Sequence, residues 1–316
     1  MAPSVPRGSD ASMRLVQKVE AKSCLGASGV LGSAIRDAFN AANTELLSLS
    51  HTRSGDNLTQ LDLLDFPAVE KVFGEFKPDW VIHCAAERRP DVAEKDPEAA
   101  RKLNAAVPLH LAKLSKTLGF TLVYISTDYV FDGTAPPYFP TSKPHPLQLY
   151  GETKLAGEEA VRDGNSVILR VPVLYGPAPN NSDSAVNILL DVVQDQSGKT
   201  YKMDHFATRY PTNVIDIANF LARLTGEFSL PEPLPAIIHY SGAEPFTKYE
   251  MCLIFSKILG VPHAHIIPDA EPPSGAGATT RPRNCQLDTA ATEDLGLEDG
   301  LGLSLFEEWW TVHLKK

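Results

Sequence analysis

The sequence predicts an α/β fold, a doubly wound parallel sheet with a smaller C-terminal lobe, and three features predict it. From Gly26 onward, short and nearly continuous apolar runs alternate with segments of helical period, as expected for parallel strands covered on both faces. A glycine-rich turn, GASGVLG, opens the first helix. After Gly176 the alternation gives way to loops rich in Pro, Gly and Ser, such as Pro177–Ser184 and Pro268–Asn284, which mark the second unit.

The chain has 316 residues, enough for one large α/β domain with a smaller partner. Its 43% hydrophobic and 22% charged residues are ordinary for a soluble globular protein. A net charge of −10 and a pI of about 5.4 argue against a general nucleic-acid or anionic-membrane binder. Cys24, Cys84, Cys252 and Cys285 form no pair of metal-ligand spacing, so they read as free thiols in a reducing compartment, with no metal. Residues Met1–Met13 carry no apolar leader and no run of membrane length occurs, which predicts a cytoplasmic protein.

The first strand is the misfit. A buried parallel strand should be almost wholly apolar, yet the chain reads QKVEAKSCL before Gly26. Glu20 and Lys22 would have to leave the core, so either residues 14–25 form a distorted strand or the stretch is foreign to the fold, as a wrong exon junction would make it. The helix after the turn is marked by Val30, Leu31, Ala34, Ile35, Ala38 and Phe39. Strands follow at Glu45–Ser50, Asp79–Ala85, Phe120–Ser126 and Ser166–Val171. A long helix carries Leu103, Val107, Leu111, Leu114 and Leu118 and ends at Gly119. Later come a short strand, AIIHYSG, and a helix, TKYEMCLIFSKIL, with a capping box at Thr247 and Glu250.

Chemistry enters at the turn. Gly26, Gly29 and Gly32 let the backbone bend sharply and approach a pyrophosphate, whose charge a helix N-terminus favours. Arg53, at the end of the second strand, stands where an acidic residue would select NAD; it suits a 2′-phosphate, hence NADP, although a solvated surface arginine is the plain alternative. YGETK places Tyr150 and Lys154 one helical turn apart, downstream of a strand ending in Ser126, Thr127 and Asp128. A neighbouring ammonium would favour the phenolate, so Tyr150 could exchange a proton with a carbinol oxygen held by Thr127 or Ser126. In VIHCAAERRPDV two arginines, Arg88 and Arg89, follow a central strand; one of them is expected to face the cleft and hold an anion or an acidic neighbour such as Asp128 or Glu87.

The stretches STDYVFDGTAPPY, YGETKLAGE, LRVPVLYG, YPTNVIDIA and RPRNCQLD resemble extended short-chain dehydrogenases/reductases of the dTDP-4-dehydrorhamnose reductase group. The segment HCAAERRPDVAEKDPEAARKLN, with MDHFATRYPT and TKYEM, resembles one branch more closely, the regulatory (beta) subunits of methionine adenosyltransferase. The resemblance implies a Rossmann-type domain over residues 14–176 and 211–242 that binds NADP, and a substrate or partner lobe over 177–210 and 243–316. It implies cofactor contacts from Gly26, Ser28, Gly29, Val30, Leu31, Gly32, Arg53, Asp62, Leu63, Cys84, Ala85, Ala86, Asn104, Tyr150 and Lys154. The catalytic set would be Tyr150, Lys154, Thr127 and Ser126, and the substrate or anion set Arg88, Arg89, Asp128 and Arg209.

Three functions stay open at this point. One is a regulator that binds NADP and docks on the catalytic methionine adenosyltransferase subunit, tuning S-adenosylmethionine synthesis. Another is a working reductase for a 4-keto sugar nucleotide, and the third a structural protein with an empty cleft. The tail, Ser304–Lys316, carries Phe306, Trp309 and Trp310, which suit either packing on their own lobe or an interface.

Overall fold

The computed structural model describes residues 20–55, 57–226, 234–273 and 280–315. Residues 14–19 of the expected first strand and part of the Pro/Gly-rich segment, 274–279, lie outside the described residues.

The chain runs β1 (Ala21–Leu25), α1 (Val30–Ala41), β2 (Glu45–Ser50), β3 (Thr59–Gln60), α2 (Phe66–Phe76), β4 (Trp80–His83), α3 (Pro90–Lys95) and α4 (Pro97–Arg101). A π-helical turn (Lys102–Ala106) leads into α5 (Val107–Leu118), followed by β5 (Thr121–Thr127), α6 (Leu149–Val161), β6 (Ser166–Val171), β7 (Leu174–Tyr175) and α7 (Ile188–Gln194). Then come β8 (Tyr201–Asp204), β9 (Thr212–Asn213), α8 (Val214–Leu224), β10 (Ile237–His239), α9 (Lys248–Leu259), β11 (Ile266–Asp269), α10 (Ala290–Glu293) and α11 (Phe306–Leu314). Seven parallel strands form the main sheet in the order β10-β6-β5-β4-β1-β2-β3. This is the doubly wound architecture that the apolar rhythm predicts.

Each face of the sheet has its own core. On one side α1 and α8 bring Ile35, Phe39, Ile217 and Phe220 against Ile82, Val123 and Leu169. On the other, α2 and α5 bring Val69, Phe73, Val107 and Leu111 against Val81, Leu122 and Ile168. Adjacent residues of β4 and β5 thus serve opposite faces, as the two-residue period of a strand requires. Burying each such side chain contributes about 1.5–3 kcal/mol.

β1 corrects the expectation drawn from its charges. Its whole length pairs in register with β2, and Lys22–Leu25 pair with Trp80–His83 of β4. Lys22 does not leave the core: it is only 5% exposed, with its ammonium 5.1 Å from the Phe39 ring centroid. Burial lowers the lysine's pKa, opposed by the charge of Glu20. The strand persists because its backbone ladder is satisfied on both edges whatever the side chains are.

The smaller lobe has a separate core in which Tyr175, Leu189, Met251, Phe255, Phe306 and Trp310 meet. Its helix α9 starts at the predicted capping box, with Thr247 and Glu250 exchanging both bonds. In the tail, Phe306 and Trp310 are buried and Trp309 meets Tyr175 edge-on, so all three aromatic residues pack on their own lobe. The segment leading to that tail returns to the sheet. Thr292 bonds the backbone of His239, and Leu295, Leu297 and Leu301 join the α1/α8 core.

Candidate functional site

β1 and β4 lie side by side, yet the chain continues outward from them in opposite directions. Their carboxyl ends therefore leave a crevice at the switch point of the sheet. A cleft of about 640 Å³ opens there and runs on to the smaller lobe.

At one end the wall is backbone. Gly26 has φ +79, and a Cβ on it would lie 2.9 Å from the amide nitrogen of Ala85, so β1 and β4 can close together only over a glycine. A Cβ on Gly32 would overlap the Gly26 carbonyl, which lets α1 start directly against the turn. Gly29 caps α1 without a side-chain bond, and no acidic residue stands in the first turn. The helix thus presents free N–H groups and its positive end to the cleft. Ser28, Val30 and Leu31 complete this wall, with Asp62 and Leu63 beside it and Cys84, Ala85 and Ala86 on the β4 side. Arg53 stands outside the cleft lining, donating to the Ser28 carbonyl at 3.2 Å.

Asn104 has another place. It lies in the π-helical turn, fully buried, taking the Glu87 N–H at 2.9 Å and donating to the Glu87 carbonyl and to Thr153. It does not line the cleft but ties the loop after β4 to α6.

In the middle stand Tyr150, Lys154, Thr127 and Asp128. Ser126 and Thr127, at the end of β5, both line the cleft with different partners. The Thr127 hydroxyl donates to Asp128 at 3.1 Å and lies close enough to Tyr150 to act on its phenol, whereas Ser126 donates to Glu158 at 2.5 Å. Glu158 in turn holds Arg170 at 2.9 and 2.7 Å, and both charged side chains are essentially unexposed.

Burial pushes the Tyr150 phenol up; Thr127 and Arg88 work against that, and Asp128 and Tyr129 add to it. Lys154 lies one helical turn further along α6 and is held from the sheet side. Its ammonium donates to the Ile125 carbonyl at 2.7 Å and lies 4.0 Å from the Tyr124 ring centroid. Burial lowers Lys154 to about 7, opposed by Glu158. Burial likewise raises Asp128 to about 7, opposed first by Arg209.

The two adjacent arginines part company. Arg88 lines the cleft and acts on the Tyr150 phenol. Arg89 turns outward, 58% exposed, and pairs with Glu87 at 3.1 Å.

At the far end the lining comes from the smaller lobe and its approaches. Arg209 is buried beside Asp128 and Tyr129 and reaches Asp204 at 3.4 Å. Lys248 and Arg281 also line this end, and sequence reasoning missed both as site residues. Each sits in a stretch that carried the resemblance, TKYEM and RPRN, and that was the available signal.

The model of one protein family, the RmlD substrate binding domain, matches residues 23–299. The chain belongs to that family. Within this RmlD family it groups with the methionine adenosyltransferase 2 beta subunits: that of Xenopus tropicalis is 45% identical over 86% of this chain and 81% of the relative. The dTDP-4-dehydrorhamnose reductase of Streptomyces griseus is 31% identical over 86% of this chain and 87% of its own. Among solved structures, the dTDP-4-dehydrorhamnose reductase of Bacillus anthracis in complex with NADP is 26% identical, with a TM-score of 0.77. The match covers 90% of this chain and 97% of that one. RmlD family membership accounts for the parallel sheet, the glycine turn and the Tyr-Lys pair together.

Proposed function

We propose that this chain is an NADP-binding regulatory subunit of methionine adenosyltransferase that modulates S-adenosylmethionine synthesis in the cytoplasm. The observation that carries the reading is Arg88. In the loop whose sequence resembles the beta-subunit branch, Arg88 brings a guanidinium into the cleft close enough to act on the Tyr150 phenol, which would replace a neutral, sugar-shaped lining with a charge. The identity to named beta subunits supports the same reading.

The residues present fit a dinucleotide. The glycine cradle would be filled by any Cβ at Gly26 or Gly32, and the uncapped N-terminus of α1 suits a pyrophosphate. Asp62 and Leu63 would flank the adenosine end, and Arg53 is near enough to the turn to meet a 2′-phosphate. Tyr150 and Lys154 would contact the nicotinamide ribose. A nicotinamide supplies hydride transfer when bound. In this chain Tyr150 would hold the proton at its hydroxyl, Thr127 would orient the accepting oxygen, and Lys154 would position the ribose. We assign residues 14–176 with 211–242 to cofactor binding, and the smaller lobe to a substrate or partner.

The second reading, a reductase acting on a 4-keto sugar nucleotide, is favoured by the intact set of Thr127, Tyr150 and Lys154. One experiment separates them. The chain is mixed with the purified catalytic methionine adenosyltransferase subunit, and S-adenosylmethionine formation and co-elution are followed with and without NADPH. In parallel, NADPH oxidation is followed with dTDP-4-dehydrorhamnose. The regulator reading requires co-elution and altered synthesis that survive Tyr150→Phe. Sugar reduction abolished by Tyr150→Phe, without co-elution, would establish the reductase instead.

A further inference from the structure

The far end of the cleft holds more positive charge than its neighbours neutralise. Arg209, Lys248 and Arg281 line it, the two arginines acting electrostatically on Lys248, and Arg88 lines the cleft within electrostatic reach of Tyr150. Among the described residues only Arg209 of these four has an ion-pair partner, Asp204, and at 3.4 Å that pair is loose. Among the described residues no carboxylate lies within ion-pairing distance of Arg88, Lys248 or Arg281. Two carboxylates face this part of the cleft. Asp128 is buried between Tyr150 and Arg209, and Asp183 lies in the loop that closes the lobe side. Burial keeps Asp128 from full ionisation near neutral pH, which leaves the cations still less balanced. Like charges gathered in a partly desolvated wall repel one another and lose hydration, so their arrangement is costly unless an anion completes it. The chain as a whole carries a net charge of −10, which makes this local excess of cations a property of the cleft and not of the surface.

The cations also fall into two groups. Arg209 comes from the connection between β8 and β9, Lys248 from the start of α9 and Arg281 from the segment between β11 and α10, whereas Arg88 comes from the loop after β4. Asp128 and Tyr129 lie between them, next to Tyr150. Arg281 and Arg209 act electrostatically on Lys248, whereas Arg88 acts on the Tyr150 phenol, so the two groups present their charge to different neighbours in the cleft.

We propose that this end of the cleft binds a small molecule with two separate anionic groups, a phosphate-type group among Arg209, Lys248 and Arg281 and a second, such as a carboxylate, against Arg88. The inference rests on the proposed function only in leaving the glycine end to the dinucleotide. It differs from a nucleotide-sugar site in the second anion, which replaces a neutral ring beside Tyr150. Guanidinium and ammonium donors to such oxyanions make charge-assisted bonds, and Arg88 would confer the preference for the doubly anionic ligand.

The test uses the full chain, with and without saturating NADPH, titrated calorimetrically with 3-phosphoglycerate and with glycerol 3-phosphate. The two probes share the phosphate end, and only the first has a carboxylate. The expected result is binding of both, with 3-phosphoglycerate at least about tenfold tighter, the scale of one charge-assisted contact. Arg88→Ala should erase that preference while leaving glycerol 3-phosphate unchanged. Lys248→Gln or Arg281→Ala should weaken both probes about tenfold and leave NADPH affinity unchanged. Equal affinity of the two probes for wild type, a preference that survives Arg88→Ala, or no binding of either would overturn the proposal. A chain that fails to bind NADPH but discriminates between the probes would refute the cofactor reading alone.

Discussion

The two ends of the cleft are built by different means. The glycine end is made of backbone: a turn between β1 and α1, the first N–H groups of a helix and the exit of β4, all meeting at one crossover of the sheet. The middle and far end are made of side chains that reach in from widely separated segments, Arg88, Asp128, Arg209, Lys248 and Arg281. A site made of backbone depends on the absence of atoms and is broken by adding a methyl group. A site made of side chains depends on groups that can be exchanged singly, so it can change ligand while the fold and the cofactor end stay as they are.

The largest expected effect lies beneath the side-chain end. Glu158→Gln would leave Arg170 as a buried charge without its counter-ion, and should cost about 3–5 kcal/mol in urea unfolding. A loss below about 1 kcal/mol would show that β5, β6 and α6 do not depend on this pair to hold Thr127 and Tyr150. Next comes the backbone end. Gly26→Ala forces an alanine to φ +79 and a Cβ against Ala85, and should cost about 1–3 kcal/mol with loss of NADPH binding. Tight NADPH binding by that variant would break the contrast drawn here.

Arg53 tests whether one side chain adds selectivity to the backbone end. Arg53→Ala should weaken NADPH by about 1.5–3 kcal/mol and leave NADH unchanged in calorimetry; equal losses for both cofactors would remove Arg53 from phosphate recognition. The smallest effect concerns Lys154, whose folded-state pKa is lowered to about 7 from 10.5. Between those values the unfolded chain binds more protons, so stability rises with pH. Relative to Lys154→Met, wild type should gain about 1 kcal/mol between pH 7 and 8. A flat difference would mean the ammonium stays charged where it sits.

What could be read from the sequence follows the same division. Periodicity located the strands well: Glu45–Ser50 and Ser166–Val171 are the observed β2 and β6, and Gly119 ends α5 in the left-handed conformation as read. The helix α2 was not read, although Asp65 caps it at Ala68 and Pro67 stands in its first turn, both ordinary start signals. The glycines gave away the cofactor end because their spacing is local. Which of Arg88 and Arg89 faces the cleft could not be read, since a loop has no period. Lys248 and Arg281 lie too far along the chain from Tyr150 for any spacing rule to connect them. The partners of Ser126 and Thr127 could not be read either, because Glu158 lies far from Ser126 along the chain.

β1 carries a further consequence. A strand paired on both edges takes its position from its neighbours as much as from its own residues, and here β2 and β4 hold Lys22 inside the protein against its preference for water. The information that places the glycine turn is therefore stored mostly outside the strand that leads to it. A chain built this way can accept a different opening sequence, provided the backbone still reaches Gly26, and keep its crevice. Alternative beginnings of such a protein would then differ in stability before they differed in ligand.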